Sequence, residues 1–114
     1  MIRAAYTRSK ESDSYTLTLT GHAGAAENGQ DIICSAASIL AYTLAQAAQR
    51  MHQSGRLKRK PNIKLEAGNA VVTMRPKGSA HDDVELIYRT IFGGYELLAH
   101  NYPQFVETNT SDKA

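Results

Sequence analysis

At 114 residues, with 42% hydrophobic and 21% charged side chains, the chain is sized for one globular domain with a single real core. A formal charge of +2 at pH 7 is too small to imply nucleic-acid binding by itself, and a single cysteine excludes an internal disulfide and fits a reducing cytoplasm. No apolar run is expected to reach the roughly 18–20 residues that span a bilayer.

Met1 to Arg8 shows neither an apolar h-region nor a cleavage site, so no signal peptide is expected. Residues 2–8 and 14–20 read as strands. The run Tyr15-Thr16-Leu17-Thr18-Leu19-Thr20 alternates with period two and is rich in β-formers. The polar stretch from Lys10 to Ser14 makes the pair a hairpin. Residues 31–52 predict a long helix, because Ile33, Ala36, Ala37, Leu40, Leu44, Ala47, Ala48 and Met51 recur every three or four positions. Ser54-Gly55 ends it, and a basic run from Arg56 to Lys60 follows, closed by Pro61.

Two further strands, 63–66 and 70–75, are joined by Ala67-Gly68-Asn69, which has hairpin-turn chemistry. Pro76-Lys77-Gly78-Ser79 breaks the second of them, and Ser79 or His81 then caps a helix over 82–101. Its stripe is Val84, Ile87, Ile91, Tyr95 and Leu98. Asp82, Asp83 and Glu85 in its first turn suit the positive end of the helix dipole. Pro103 stops it, 104–108 reads as a last short strand, and 111–114 as a frayed tail. The order ββαββαβ predicts an α+β fold, a mostly antiparallel sheet with two helices packed on one face, with residues 1–114 as one domain.

The chemistry concentrates where the second strand meets the first helix. His22 and the sole cysteine, Cys34, stand twelve positions apart, with small, polar and glycine residues over 23–30 between them. That segment reads as a mobile active-site loop. A thiol attacks as thiolate, which a helix N-terminus or a neighbouring imidazolium favours. With Asp31 as N-cap, Cys34 is the third helical residue, among N–H groups that lack helical acceptors and are free to serve as an oxyanion hole. His22 is then the base. Taken singly, each residue also has a plainer reading. A lone cysteine is often an inert small hydrophobe. Asp31 is a cap, an orienter of His22, or both, and Ser38, one turn beyond Cys34, either lines a cleft or is a packed helix serine. One cysteine and four scattered histidines show no metal-ligand spacing, so no metal or cofactor is expected. The basic run 56–60 reads as a solvated loop or, in the competing reading, as the contact of a non-catalytic ribosome-assembly or RNA-binding factor. A thiol-based redox or acyl-transfer enzyme on the same pair is a third reading, and the lack of a resolving cysteine argues against dithiol chemistry. Tyr42, Tyr88, Tyr95 and Tyr102 are expected in packing roles.

Gly21-His22-Ala23, the glycine-containing loop and Gly29-Gln30-Asp31-Ile32-Ile33-Cys34-Ser35-Ala36-Ala37-Ser38 together resemble the signature of the ribosomal-processing cysteine protease family Prp (YsxB-like). The likeness extends, more weakly, through Tyr95 and Asn101-Tyr102-Pro103. Ser35 and Ala37 depart from the alanine and valine of many members and leave the pair untouched. The resemblance implies a cytoplasmic cysteine endopeptidase that removes a short N-terminal extension from large-subunit ribosomal protein twenty-seven, after a hydrophobic, phenylalanine-containing motif. It implies Cys34 as nucleophile, His22 as general base, and Gly21, Asp31 and Ser38 as supporting or substrate-binding positions. The implied partners are the ribosomal-protein precursor and a second copy of the chain in a homodimer, with no membrane and no direct nucleic-acid contact.

Overall fold

The computed structural model describes residues 1–22 and 30–113, with the side chains of Gln30, Asp31 and Lys113 excepted. Among the described residues eight elements follow in order: β1 (Ile2–Ser9), β2 (Ser14–Thr20), α1 (Gln30–Gln53), β3 (Asn62–Glu66), β4 (Asn69–Met74), a 3₁₀ turn (Gly78–Ala80), α2 (His81–Asn101) and β5 (Val106–Lys113). The five strands form one sheet in the order β3-β4-β2-β1-β5. Every pairing is antiparallel except β1 with β5. The α+β class with a mostly antiparallel sheet is as the patterning predicts.

Strand alternation sets the core. Ile2 and Ala4 of β1, Tyr15 and Leu17 of β2, and Val72 and Met74 of β4 all point to one face, where they are buried with residues of both helices. The partner registers Tyr6↔Leu17 and Leu17↔Val72 keep apolar side chains on that face across three strands. α1 lies over β3 and β4, α2 lies over β1, β2 and β5, and the helices touch each other. The alanines of α1 are used more than the stripe predicts. Ala41 and Ala45 are buried beside Ala37, Leu44 and Ala48, because a side chain without γ atoms fits where helix and sheet approach closely. In α2 the buried face is Val84, Tyr88, Phe92 and Tyr95, and the expected Ile87, Ile91 and Leu98 flank it half-buried.

Several boundaries differ from expectation. β5 begins two residues later than predicted and continues through the stretch expected to fray, since Ser111–Lys113 pair with Thr7–Ser9. A parallel ladder holds backbone groups whatever the side chains, so the polar sequence Thr108 to Lys113 gives no strand pattern. Neither Ser79 nor His81 caps α2. The N-cap is Ala80, with no side-chain cap bond, because the 3₁₀ turn runs directly into the helix and Ala80 N–H donates to Lys77 O at 2.8 Å. The segment Ile32–Gln53 is, by length and composition, apolar enough to cross a bilayer, contrary to the sequence estimate. Its Ile33-Ala37-Ala41-Leu44-Ala48 face is nonetheless the packing surface of a sheet-bound core helix.

Two buried phenols tie the layers. Tyr88 Oη donates to Val72 O and Tyr95 Oη to Ala37 O, each at 2.8 Å. At the far end, Asp13 accepts from Lys58 Nζ and faces His81 Nε2 at 3.1 Å, and His81 Nδ1 lies 3.0 Å from Tyr15 Oη. The Lys58 hydrogen bond, then the charges of His81 and Lys58, hold the Asp13 carboxyl below its ordinary 3.8. Two outcomes are expected. Tyr88→Phe costs about 0.5–1.5 kcal/mol in denaturant unfolding, the net worth of one hydrogen bond made in the core. Asp13→Asn costs only a few tenths of a kcal/mol at neutral pH, as an exposed pair should. Because a lowered carboxyl stabilises the fold above its unfolded value, that deficit vanishes as pH falls below 3.8 and through the folded value, and pH-dependent melting of both proteins measures it.

Candidate active site

The site is built where three chain segments converge: the end of β2, the first turns of α1 and the β3–β4 turn. Thr20 of β2 pairs with Asn69 of β4, so the two-residue turn Ala67-Gly68 lies beside the end of β2. Gly21 N–H donates to Gly68 O at 3.0 Å and extends the ladder one step past β2. Gly21 holds a φ of +89°, and a Cβ there would fall 2.1 Å from Met1 O, so only glycine turns the chain here without collision. His22 follows, exposed, with its carbonyl accepting from the Met1 ammonium at 2.6 Å.

Cys34 is half-buried on α1. His22 and Cys34 line one cavity of about 80 Å³, floored by Ile2, Leu19 and Ala37 and walled by Ser38, Tyr42, Leu65 and Gly68. That space holds a few waters rather than a peptide segment. A shallower groove continues outward from Cys34 along Ser35, Ser38, Ile39 and Tyr42. Its apolar members are strongly exposed, Ile39 at 59% and Tyr42 at 53%. The thiol thus sits between a small, mostly apolar cavity that His22 and Ser38 also line and an apolar surface strip.

The expected residues fall as follows. His22, Cys34, Ser38 and Gly21 all line the cavity. Asp31 is the second residue of α1 rather than its cap, because the helix already includes Gln30. Its side chain lies outside the described residues, as do positions 23–29 of the predicted loop. Counted from Gln30, Cys34 is the fifth helical residue, so its own N–H falls beyond the four that lack intrahelical acceptors. The oxyanion-hole expectation therefore moves to the N–H groups of the preceding turn. The basic run is partly consumed within the fold: Arg56 pairs with Asp83 at 2.6 Å, Lys58 with Asp13, and Leu57 is buried. Burial, then the Glu85 charge, pushes Tyr6 up to about 12, and burial pushes Tyr88 and Tyr95 higher still.

Gly68, Tyr42 and Leu65 were not singled out by sequence reasoning as cavity residues. Tyr42 carried a usable signal, since 34, 38 and 42 recur every four residues on one helix face. Gly68 carried none beyond its turn chemistry, because its neighbour across space is set by the β2–β4 register.

Comparison with known proteins adds the following. The family model described as Cysteine protease Prp matches residues 1–107. No curated protein matches the chain. Among solved structures, SMU.848 from Streptococcus mutans is 26% identical, with a TM-score of 0.71 over 99% of this chain and 96% of that one. The essential ribosomal processing protease Prp from S. aureus, in complex with a covalently linked product peptide, is 22% identical, with a TM-score of 0.66 over 96% of this chain and 99% of that one. The same protease in complex with a substrate peptide is 20% identical, with a TM-score of 0.67 and the same coverage. At these identities the S. aureus structures show a shared fold.

The close approach at Gly21 yields a stability prediction. Gly21→Ala places a methyl against a backbone carbonyl at a positive φ, and is expected to cost roughly 2–4 kcal/mol in denaturant unfolding.

Proposed function

The chain belongs to the cysteine protease Prp family, and from that premise we propose that it removes the short N-terminal extension of large-subunit ribosomal protein twenty-seven, with Cys34 as nucleophile and His22 as general base and acid. The observation that carries this reading is that the sole cysteine and His22 line one cavity. Cys34 thiolate attacks the scissile carbonyl, and the thioester forms as the carbon–nitrogen bond breaks. Imidazolium His22 protonates the departing amine, and neutral His22 then takes a proton from water, whose attack releases the carboxylate product and the thiol. N–H groups of the first turn of α1 stabilise the oxyanion as charge develops. A covalently linked product peptide in the S. aureus protease supports a covalent route.

Substrate selection follows from the surface beside the thiol. Ile39, Tyr42 and Leu65 offer exposed apolar groups at the cavity mouth, which suit the hydrophobic, phenylalanine-containing motif implied by the family. Asp31 orients His22, and Ser38 contacts the substrate backbone. The proposal includes a homodimer working in the cytoplasm on a ribosomal-protein precursor, as one domain without metal or cofactor.

The test is intact-mass analysis after mixing the protein with a peptide spanning the extension and the first mature residues. Wild type is expected to make one cut. Cys34→Ala makes none while melting at the wild-type temperature, and His22→Ala is slower by roughly 10²–10⁴-fold. A Cys34→Ala protein that cleaves at the wild-type rate overturns the reading.

A further inference from the structure

The β3–β4 turn does more at the site than wall the cavity. A Cβ built on Gly68 would lie 2.5 Å from His22 Nε2, 2.9 Å from Cε1 and 3.3 Å from Cδ2. The Nε2 end of the imidazole is thus lodged against the bare Cα of Gly68, in space that any other residue would fill. The turn itself is held in place from two sides: by the Thr20↔Asn69 register of β2 with β4, and by the hydrogen bond from Gly21 N–H to Gly68 O. The same two residues, Gly21 and Gly68, therefore fix the backbone before His22 and the seat for its ring.

We propose that Gly68 is a positioning residue for His22: the absence of a side chain at the β3–β4 turn sets where the imidazole stands relative to Cys34. The inference rests on the His22–Cys34 reading of the site. An ordinary van der Waals contact begins at 3.4 Å, so a methyl at 68 has to move the Nε2 end by about 0.9 Å, that is 3.4 − 2.5 Å. The imidazole is the free end of a rotatable side chain beside a cavity, so it yields readily and the fold survives. Catalysis does not tolerate the same shift, since misplacement of a reacting group by about 1 Å costs on the order of 10²-fold in rate.

The chain contains its own control. Gly55, after α1, has a φ of +75°, matching the +74° of Gly68, and a Cβ there meets nothing within 4 Å among the described residues. Gly55→Ala therefore reproduces the backbone strain of Gly68→Ala without the contact to His22. Gly68→Asn keeps the Cβ while tolerating the left-handed backbone, and serves if Gly68→Ala fails to fold.

The experiment measures kcat and KM on the extension peptide and, separately, the pH dependence of Cys34 alkylation by iodoacetamide, for wild type, Gly68→Ala, Gly68→Asn, Gly55→Ala and His22→Ala. Both Gly68 variants are expected to lose on the order of 10²-fold in kcat with KM within a few-fold of wild type. Their alkylation profiles should move toward that of His22→Ala, and Gly55→Ala should match wild type in both readouts. Wild-type kinetics and alkylation in the Gly68 variants, with His22→Ala inactive, overturn the positioning role and leave the dyad standing. Equal losses in Gly55→Ala and Gly68→Ala also overturn it, by assigning the effect to backbone strain. Full activity in His22→Ala removes the dyad reading itself and this inference with it.

Discussion

The pairing of β2 with β4 is the constraint on which the rest of the molecule depends. The register Leu17↔Val72 puts two fully buried side chains on the helix-facing side, and the same register brings Thr20 opposite Asn69. A slip of one residue would turn the apolar set of the strand that moved, Leu17 or Val72 with it, to the open face and bring that strand's threonines against the helices. It would also separate Gly21 from Gly68, and with them the histidine from its seat. Core and site are therefore specified by one hydrogen-bonded ladder. The open face fits this account: Thr16 Oγ1 and Thr73 Oγ1 lie 3.0 Å apart on the side away from the helices, a polar cross-strand pair that also fixes register.

Onto that ladder the helices are fastened by different means. α1 approaches through Ala37, Ala41, Ala45 and Ala48, which bury little area each but allow its backbone close to β4. α2 brings bulk instead, with Val84, Tyr88, Phe92 and Tyr95 filling the space that the alanines leave. Stacking of Tyr88 on Tyr6, at 5.6 Å between ring centroids, continues the contact to β1. The two buried hydroxyls then give direction to what is otherwise non-directional packing. Tyr88 reaches a carbonyl of β4 and Tyr95 a carbonyl of α1, so α2 is anchored to the sheet and to the other helix at once. The second of those carbonyls belongs to Ala37, three residues beyond Cys34, and the thiol's helix is thereby held within one turn of the thiol.

Much of this was legible in the sequence. Period-two alternation located β2, turn chemistry on either side placed β1, β3 and β4 to within a residue or so, and the three-to-four spacing located both helices, because in these segments local pattern and backbone structure coincide. Cysteine and histidine at the joints of two elements, and the motif around them, pointed to thiol chemistry. What the sequence hid was fixed by tertiary contact. The polar residues of β5 carry no pattern because the parallel partner β1 supplies the order. The uncapped start of α2 follows from a 3₁₀ turn whose residues, Gly78, Ser79 and Ala80, look like an ordinary cap region, and His81 is drawn away to Tyr15 and Asp13. Gly68 reads locally as a turn glycine, and its contact with His22, forty-six positions earlier, exists only once the strands are registered.

The half-burial of Cys34 has a geometric origin that bears on how such a thiol works. Around α1, Ile33, Ala37, Ala41, Leu44 and Ala48 face the core, and Ile32, Ile39 and Tyr42 face outward. Cys34 and Ser38 fall on the border between these two arcs, a position that the 100° step of a helix assigns to them once the buried arc is chosen. On the buried arc the thiol would be packed and unreachable; on the exposed arc it would face water with no wall to shape an approach. The border offers a fixed backbone below, a cavity to one side where His22 stands, and an apolar strip to the other. A helix packed on a sheet through small residues is well suited to this, since the alanine face brings the border down to the level of the β3–β4 turn. Core packing and cavity lining are then divided between neighbouring faces of one element, and a change in the packing face, even without touching Cys34, would tilt the thiol relative to the histidine.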